Sequence, residues 1–361
     1  MTLYWALFAA LVGAAVLLGG VRFSRGAAAF LFMGLSLALV LVAGFQEAGV
    51  SRDYRTYAAL YEYYASGGLM ALQHRFYEPA FVAIASLGGI LGFGVNFAYL
   101  VHAAVSLTAK GFLFLRASRE PLLSLLLYFS YFYFLQDMTQ IRVAAGVGLG
   151  YLGILALQNG RPRIFALFLA LGFLFHFAVI LLGIAYLVYR HRSLRLNVSF
   201  VIIGVLGLTF SEQLSLLFMG LIDYFGMWDP TGRLRFYATQ LAAGQIEINP
   251  INRMAPHLVL LGALLVFWRR LRNLDTVWVG WVNVYSFGFL ALGMLSFIPV
   301  LAYRVSDMFF LAGVLALPAL VNVVKQRVVA RLMISLVALV FFVYVMYGAN
   351  LVGPYQFIVD W

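Results

Sequence analysis

Apolar runs long enough to cross a bilayer follow one another along nearly the whole chain. They fall near 2–20, 27–46, 77–115, 121–136, 139–157, 163–189, 196–221, 254–268, 276–298, 303–321 and 327–348. A helix of about 20 apolar residues matches the hydrocarbon thickness of a membrane, and inside lipid every backbone polar group must find its partner within the protein. The expected fold is therefore all-α: a polytopic membrane helical bundle of about 11–13 hydrophobic segments, some short or re-entrant, given the span length that lipid demands. Composition agrees, with 64% hydrophobic and only 10% charged residues, where a soluble domain carries about 25% charged. No soluble insertion interrupts the pattern, so residues 1–361 are read as a single transmembrane domain.

The net charge of +11 would suggest nucleic acid in a soluble protein, but here the basic residues lie in short loops and offer no long face for phosphates. Cysteine is absent, which excludes disulfide and thiolate chemistry. Residues 1–18 hold no Lys or Arg, so the first run is expected to be a retained span rather than a cleaved leader.

A positive excess marks the cytoplasmic side. Arg22 and Arg25, Arg116 and Arg119, Arg161 and Arg163, Arg190, Arg192 and Arg195, Arg269, Arg270 and Arg272, and Lys325, Arg327 and Arg331 mark successive loops. Placing them all inside puts both termini and two long loops, 47–76 and 222–253, outside. Segment 163–189 must then turn back on itself near Phe175 and His176, and segment 77–115 must hold one crossing plus a re-entrant or in-plane piece. The competing arrangement, with 77–115 crossing twice and 163–189 once, would expose four arginines outside.

An ionisable residue at mid-membrane costs about 2.5–3.5 kcal/mol on the insertion scale, so the few present are informative. Asp53 opens the first outer loop between Arg52 and Arg55. Tyr54, Tyr57, Tyr61 and Tyr64 follow on one helical face, compatible either with substrate contact or with an amphipathic helix lying in the interfacial aromatic belt. Glu78 precedes Pro79, where an acid could cap a helix or act in a site. Asp137, Gln140 and Arg142 form the densest polar cluster in the hydrophobic body, followed by Gly146 and Gly150 at the spacing that lets helices approach closely. Asp137 and Arg142 could pair, or the guanidinium could await an anionic ligand. His176, between two phenylalanines, suits packing or chemistry. Tyr303, Arg304 and Asp307 open a late span, and Arg304 and Asp307 could pair one turn apart; Arg253 closes the second outer loop, whose aromatic and polar mixture would suit a sugar or simply a solvated loop containing Pro and Gly. No phosphate loop, nucleophile elbow or metal-spaced His/Asp set occurs, and no cofactor or metal is expected.

Asp53-Tyr54-x-x-Tyr57, Glu78, Gln140-Ile141-Arg142-x-Ala144 and Phe175-His176-x-Ala178, in that order, resemble the EpsG-like branch of the Wzy-type O-antigen and exopolysaccharide polymerases. The resemblance implies a GT-C-like fold in the bacterial inner membrane with a site facing the periplasm. It also implies glycosyl transfer without metal or nucleotide, from polyprenyl pyrophosphate to the hydroxyl of another lipid-linked repeat unit. Arg142, then Arg304 and Arg253, would stabilise the leaving pyrophosphate; Asp53 or His176, with Glu78 behind them, would serve as base; Asp137 would orient Arg142, and Tyr54, Tyr57, Gln140, Tyr303 and Asp307 would line the substrate. Partners would be the lipid-linked oligosaccharide, membrane lipid, and a flippase and chain-length regulator of the same pathway. The rival readings are a flippase for such lipids, which should show internal repeats, and an O-antigen ligase, which should carry a larger outer domain.

Overall fold

The computed structural model describes residues 1–18, 25–67, 77–191, 193–225, 250–274 and 276–358. Most of the second outer loop, with its aromatic and polar mixture, lies outside the described residues. Among those described, 5 helices are long and apolar enough to cross a membrane, or up to 7 if each of two bent pairs is one span. The remaining apolar runs form helices too short to cross, such as Pro79–Ile90 and Pro162–Phe175. Fewer full crossings result than the 11–13 hydrophobic segments, because several runs are broken.

The last long helix, Arg327–Tyr347, shows why lipid is the solvent. Ala330, Ile334, Ala338 and Phe342 face inward, while Val329, Leu332, Leu336, Val340 and Val343 are exposed. Both faces are apolar, so water cannot be the outer medium.

The chain divides into two compact units, residues 1–183 with 318–361, and residues 184–317. The first unit contains α1 (Thr2–Gly13), α2 (Arg25–Gly44), α3 (Tyr54–Ser66), α4 (Pro79–Ile90), α5 (Asn96–Ala117), α6 (Pro121–Leu127), α7 (Ile141–Gln158) and α8 (Pro162–Phe175). Between α6 and α7 the chain runs as a π-helix, Tyr128–Thr139, with all 12 residues buried.

Segment 77–115 resolves into the short α4, a turn that uses Gly92 at φ 76°, and the full-length α5. At 1.5 Å per residue α5 spans roughly 33 Å, a bilayer's depth. Segment 163–189 does turn back. The α8 helix stops at His176, in extended conformation, and a 3₁₀ segment, Phe177–Ile184, returns beside it. Val179 packs on Gly172 and Leu169 on Gly183. The single-crossing alternative is thereby set aside. Gly146 of α7 is the hinge of this packing: a Cβ there would come within 2.9 Å of the Gly172 carbonyl oxygen, so only glycine lets the hairpin seat.

The two ends of the first unit are distinct. At one end Arg331 donates to both carboxylate oxygens of Glu120, at 3.2 and 2.9 Å, joining two of the basic loops. At the other, Asn96 donates to the carbonyls of Gly44 and Gln46, both at 2.8 Å, and Gln46 donates to Met138 O. Residues 351–358 run back across the first loop, with Glu47 N–H donating to Gln356 O and Gly353 N–H to Val50 O.

The four α3 tyrosines on that helical face pack against protein, while Tyr63 is exposed. Tyr54, Tyr57, Tyr61 and Tyr64 are all buried against Phe81, Val82 and Tyr99 of α4 and α5. Tyr54 donates to Asn96 Oδ1 at 2.7 Å and Tyr61 to Phe93 O at 2.7 Å. An amphipathic face has the same period whether it meets lipid headgroups or protein, which is why the sequence admitted both.

The second unit packs helix Leu194–Thr209 on helix Thr276–Met294. Backbones meet at Gly204 and Gly293, where a Cβ on Gly293 would overlap the Gly204 carbonyl oxygen. Asn283 secures the contact, donating to Val188 O at 2.9 Å and accepting from Asn197 at 3.0 Å.

Candidate functional site

Three sequence-nominated residues converge in the first unit, brought from three elements. Glu78 stands just before α4 with extended backbone and Pro79 behind it. Its side chain does not cap its own helix; it reaches across instead. One carboxylate oxygen pairs with Nη1 of Arg142, in the first turn of α7, and the other lies 2.8 Å from Nδ1 of His176 at the hairpin tip. The side chains of Glu78, Arg142 and His176 are 8%, 15% and 15% exposed.

Aromatic rings enclose the guanidinium. Its carbon lies 4.6 Å from the Tyr77 ring centre, 5.5 Å from Tyr57 and 5.7 Å from Phe81, the geometry of cation–π attraction. With Nη1 held by Glu78, the Nε–H is buried without a hydrogen-bond partner among the described residues. A buried donor left unpaired is costly, and Tyr57 also engages the same guanidinium by a side-chain hydrogen bond.

Burial would raise the Glu78 carboxyl, but the hydrogen bond with His176 and the charge of Arg142 outweigh it and bring it from 4.5 down to about 2. Glu78 is thus ionised at neutral pH and accepts from His176, whose Nδ1 carries the proton. In the neutral ring Nε2 is then the basic lone pair. A carboxylate that fixes the tautomer of a histidine is the arrangement by which an imidazole is aimed as a base. The depressed carboxyl contributes stability that is fully present above pH 4.5 and lost as pH falls through about 2. Glu78→Gln should therefore lower the thermal stability of purified protein at pH 7 by on the order of 3 kcal/mol, and the gap to the parent should close between pH 4.5 and 2. A constant gap across that window would show that the charge is not what matters.

The other nominated residues are placed differently. Asp53 precedes α3, 3.4 Å from its neighbour Arg52, and its charge bears on Tyr57, the tyrosine that also bears on Arg142. Gln140 is the half-buried residue where the π-helix gives way to α7. Tyr54 is committed to Asn96. Asp137, expected to orient Arg142, is fully buried and instead accepts from Tyr128 beside Lys110. Arg253, Tyr303, Arg304 and Asp307 belong to the second unit. Arg253 lies in helix Pro250–Val266; Arg304 is exposed and Asp307 buried on helix Pro299–Phe310.

Two residues of the first unit escaped the sequence reading. His102 on α5 is fully buried, with its ring 5.9 Å from Phe81 and 5.6 Å from Phe175, the neighbours of Glu78 and His176 in space and sequence. Its Nδ1 donates to Ala98 O at 2.7 Å. Lys110 is equally buried one helical stretch below. Both are ionisable residues within a helix long and apolar enough to cross the membrane, and that was the available signal. Among the described residues no three His, Asp or Glu side chains gather as a metal would require.

A comparison with protein families matches the EpsG family over residues 29–358, nearly the whole chain. The chain belongs to the EpsG family. It is thus a membrane protein like the Wzy-type polysaccharide polymerases, and the match spans both units and every residue of the Glu78 site. Comparison with curated proteins and with solved structures finds no match.

Proposed function

We propose that this EpsG-family protein is a polysaccharide polymerase. It transfers a glycan from polyprenyl pyrophosphate to a hydroxyl of a second lipid-linked repeat unit, at the outer face of a bacterial inner membrane. The observation that carries the reading is the shared carboxylate of Glu78. It holds a histidine, as a base, and an arginine together within one largely buried site.

The division of labour follows from the chemistry. His176 Nε2 takes the proton of the acceptor hydroxyl as its oxygen bonds to the anomeric carbon. The bond from that carbon to the phosphate oxygen breaks, and the pyrophosphate leaves with the electron pair. Arg142 offers its charge to the oxygens on which negative charge accumulates. Glu78, ionised throughout, orients both and is itself too acidic to be the base. Support for the outer face comes from the end of the first unit where the site lies, opposite the Glu120–Arg331 bridge that joins basic loops.

Purified protein in nanodiscs, supplied with lipid-linked repeat units alone, is expected to yield longer glycans on polyprenyl pyrophosphate and free polyprenyl pyrophosphate in equal number of transfers. Translocation without elongation would make the protein a flippase, and transfer to lipid A would make it a ligase.

A further inference from the structure

Lys110 and Asp137 are buried charges that the proposed chemistry does not use. The Lys110 ammonium donates to Ser106 Oγ at 2.8 Å, Tyr128 OH at 2.6 Å and Gln136 Oε1 at 2.9 Å. An ammonium has three donors, so none is left over. Tyr128 accepts one of these and gives its own hydroxyl proton to Asp137 Oδ2. The other carboxylate oxygen lies 4.0 Å from the Lys110 nitrogen. The result is a charge-balanced relay that ties α5 to both ends of the π-helix.

The spacing along that helix explains what the relay does. Tyr128 and Asp137 are nine residues apart. At about 3.6 residues per turn nine residues make two and a half turns, which puts the two side chains on opposite faces. At the wider winding of a π-helix, about 4.4 residues per turn from its i→i+5 bonds, nine residues make about two turns and the side chains align. The Tyr128–Asp137 bond therefore requires the π winding, and Lys110, bridging Tyr128 and Gln136 from a neighbouring helix, holds both partners in that winding. Directly afterwards Thr139 Oγ1 donates back to Leu135 O, the chain bends at Gln140, and Arg142 enters the first turn of α7. Rewinding twelve residues from π to α would turn everything that follows by roughly 200°, away from Glu78.

We propose that the Lys110–Tyr128–Asp137 relay is a winding lock that sets the direction of Arg142, which makes Lys110 a positioning residue for the site. Its effect on turnover rests on the polymerase reading; its effect on geometry does not. The chain has no cysteine, so thiols introduced at Glu78 and Arg142 can be bridged by a short bifunctional methanethiosulfonate without background. Lys110→Met combined with Asp137→Asn removes both charges together and strands neither. At equal abundance this pair is expected to cut the 78–142 cross-link several-fold. In the chain with native Glu78 and Arg142, it should lower kcat about 100-fold, as small misplacements in a site can, with KM for the lipid-linked repeat little changed. Unchanged cross-linking overturns the lock whatever happens to activity. Lost cross-linking in a protein whose parent never elongates glycan leaves the lock standing and removes the polymerase reading. If the pair fails to accumulate, Tyr128→Phe, which deletes only the bridging hydroxyl, carries the same test, and an unaltered cross-link there is equally fatal.

Discussion

Arg142→Ala should reduce glycan elongation by about 10²–10³-fold, the cost of losing one well-placed stabiliser of developing charge. Two effects combine in this number. On the proposed chemistry a leaving pyrophosphate loses the guanidinium, and Glu78 loses the counter-charge that keeps its carboxylate stable while only 8% exposed. Arg142→Lys separates them. A lysine can neutralise Glu78, but it is a point charge without the planar fork. It cannot hold the carboxylate through one nitrogen and offer a second donor in a fixed direction. The lysine variant should therefore regain stability without regaining rate. The measurement is initial rate with purified protein alongside thermal unfolding. Full polymer length in Arg142→Ala at normal abundance would remove this residue from the chemistry.

His176→Ala should cost about 10²–10⁴-fold, the usual contribution of a positioned base. Most of the loss should fall on kcat, because the imidazole acts on a proton in flight and not on ground-state binding. The competing base is Asp53, which sits at the entrance to α3 with Arg52 at its side. Asp53→Asn should be milder, acting through Tyr57 on the guanidinium. The two variants, assayed in parallel, decide the assignment. A nearly silent His176→Ala with a dead Asp53→Asn would transfer the role of base to the loop carboxylate.

Much of this was legible in the chain. Apolar runs announced helices because lipid leaves the backbone no other choice. Glu78, Arg142 and His176 stood out because charge in such surroundings needs a reason. The turn at His176 followed from keeping Arg161, Arg163 and Arg190 on one side. What stayed hidden was pairing. Glu78 meets partners 64 and 98 residues away, and no local period encodes that. Asp137 was matched to Arg142 because five residues separate them, but the π winding and the bend at Gln140 send the two side chains to different neighbours. The α3 tyrosines were ambiguous for another reason: the packing surface of α4 and α5 that covers them is formed by later sequence. Lys110 passed unnoticed because its three acceptors lie on the next helix and on its own previous turn, and nothing in α5 advertises them.

The doubly engaged carboxylate of Glu78 has a further consequence. One negative charge is divided between a guanidinium and an imidazole, so the two compete for it. An anion that settles against Arg142 draws the guanidinium toward itself and leaves more of the Glu78 charge for the ring of His176. The ring of His176 is then held by that carboxylate alone, so its orientation is fixed most firmly while the donor is seated. A protein built this way would seldom activate a hydroxyl, or a stray water, when no lipid-linked donor is present to receive it.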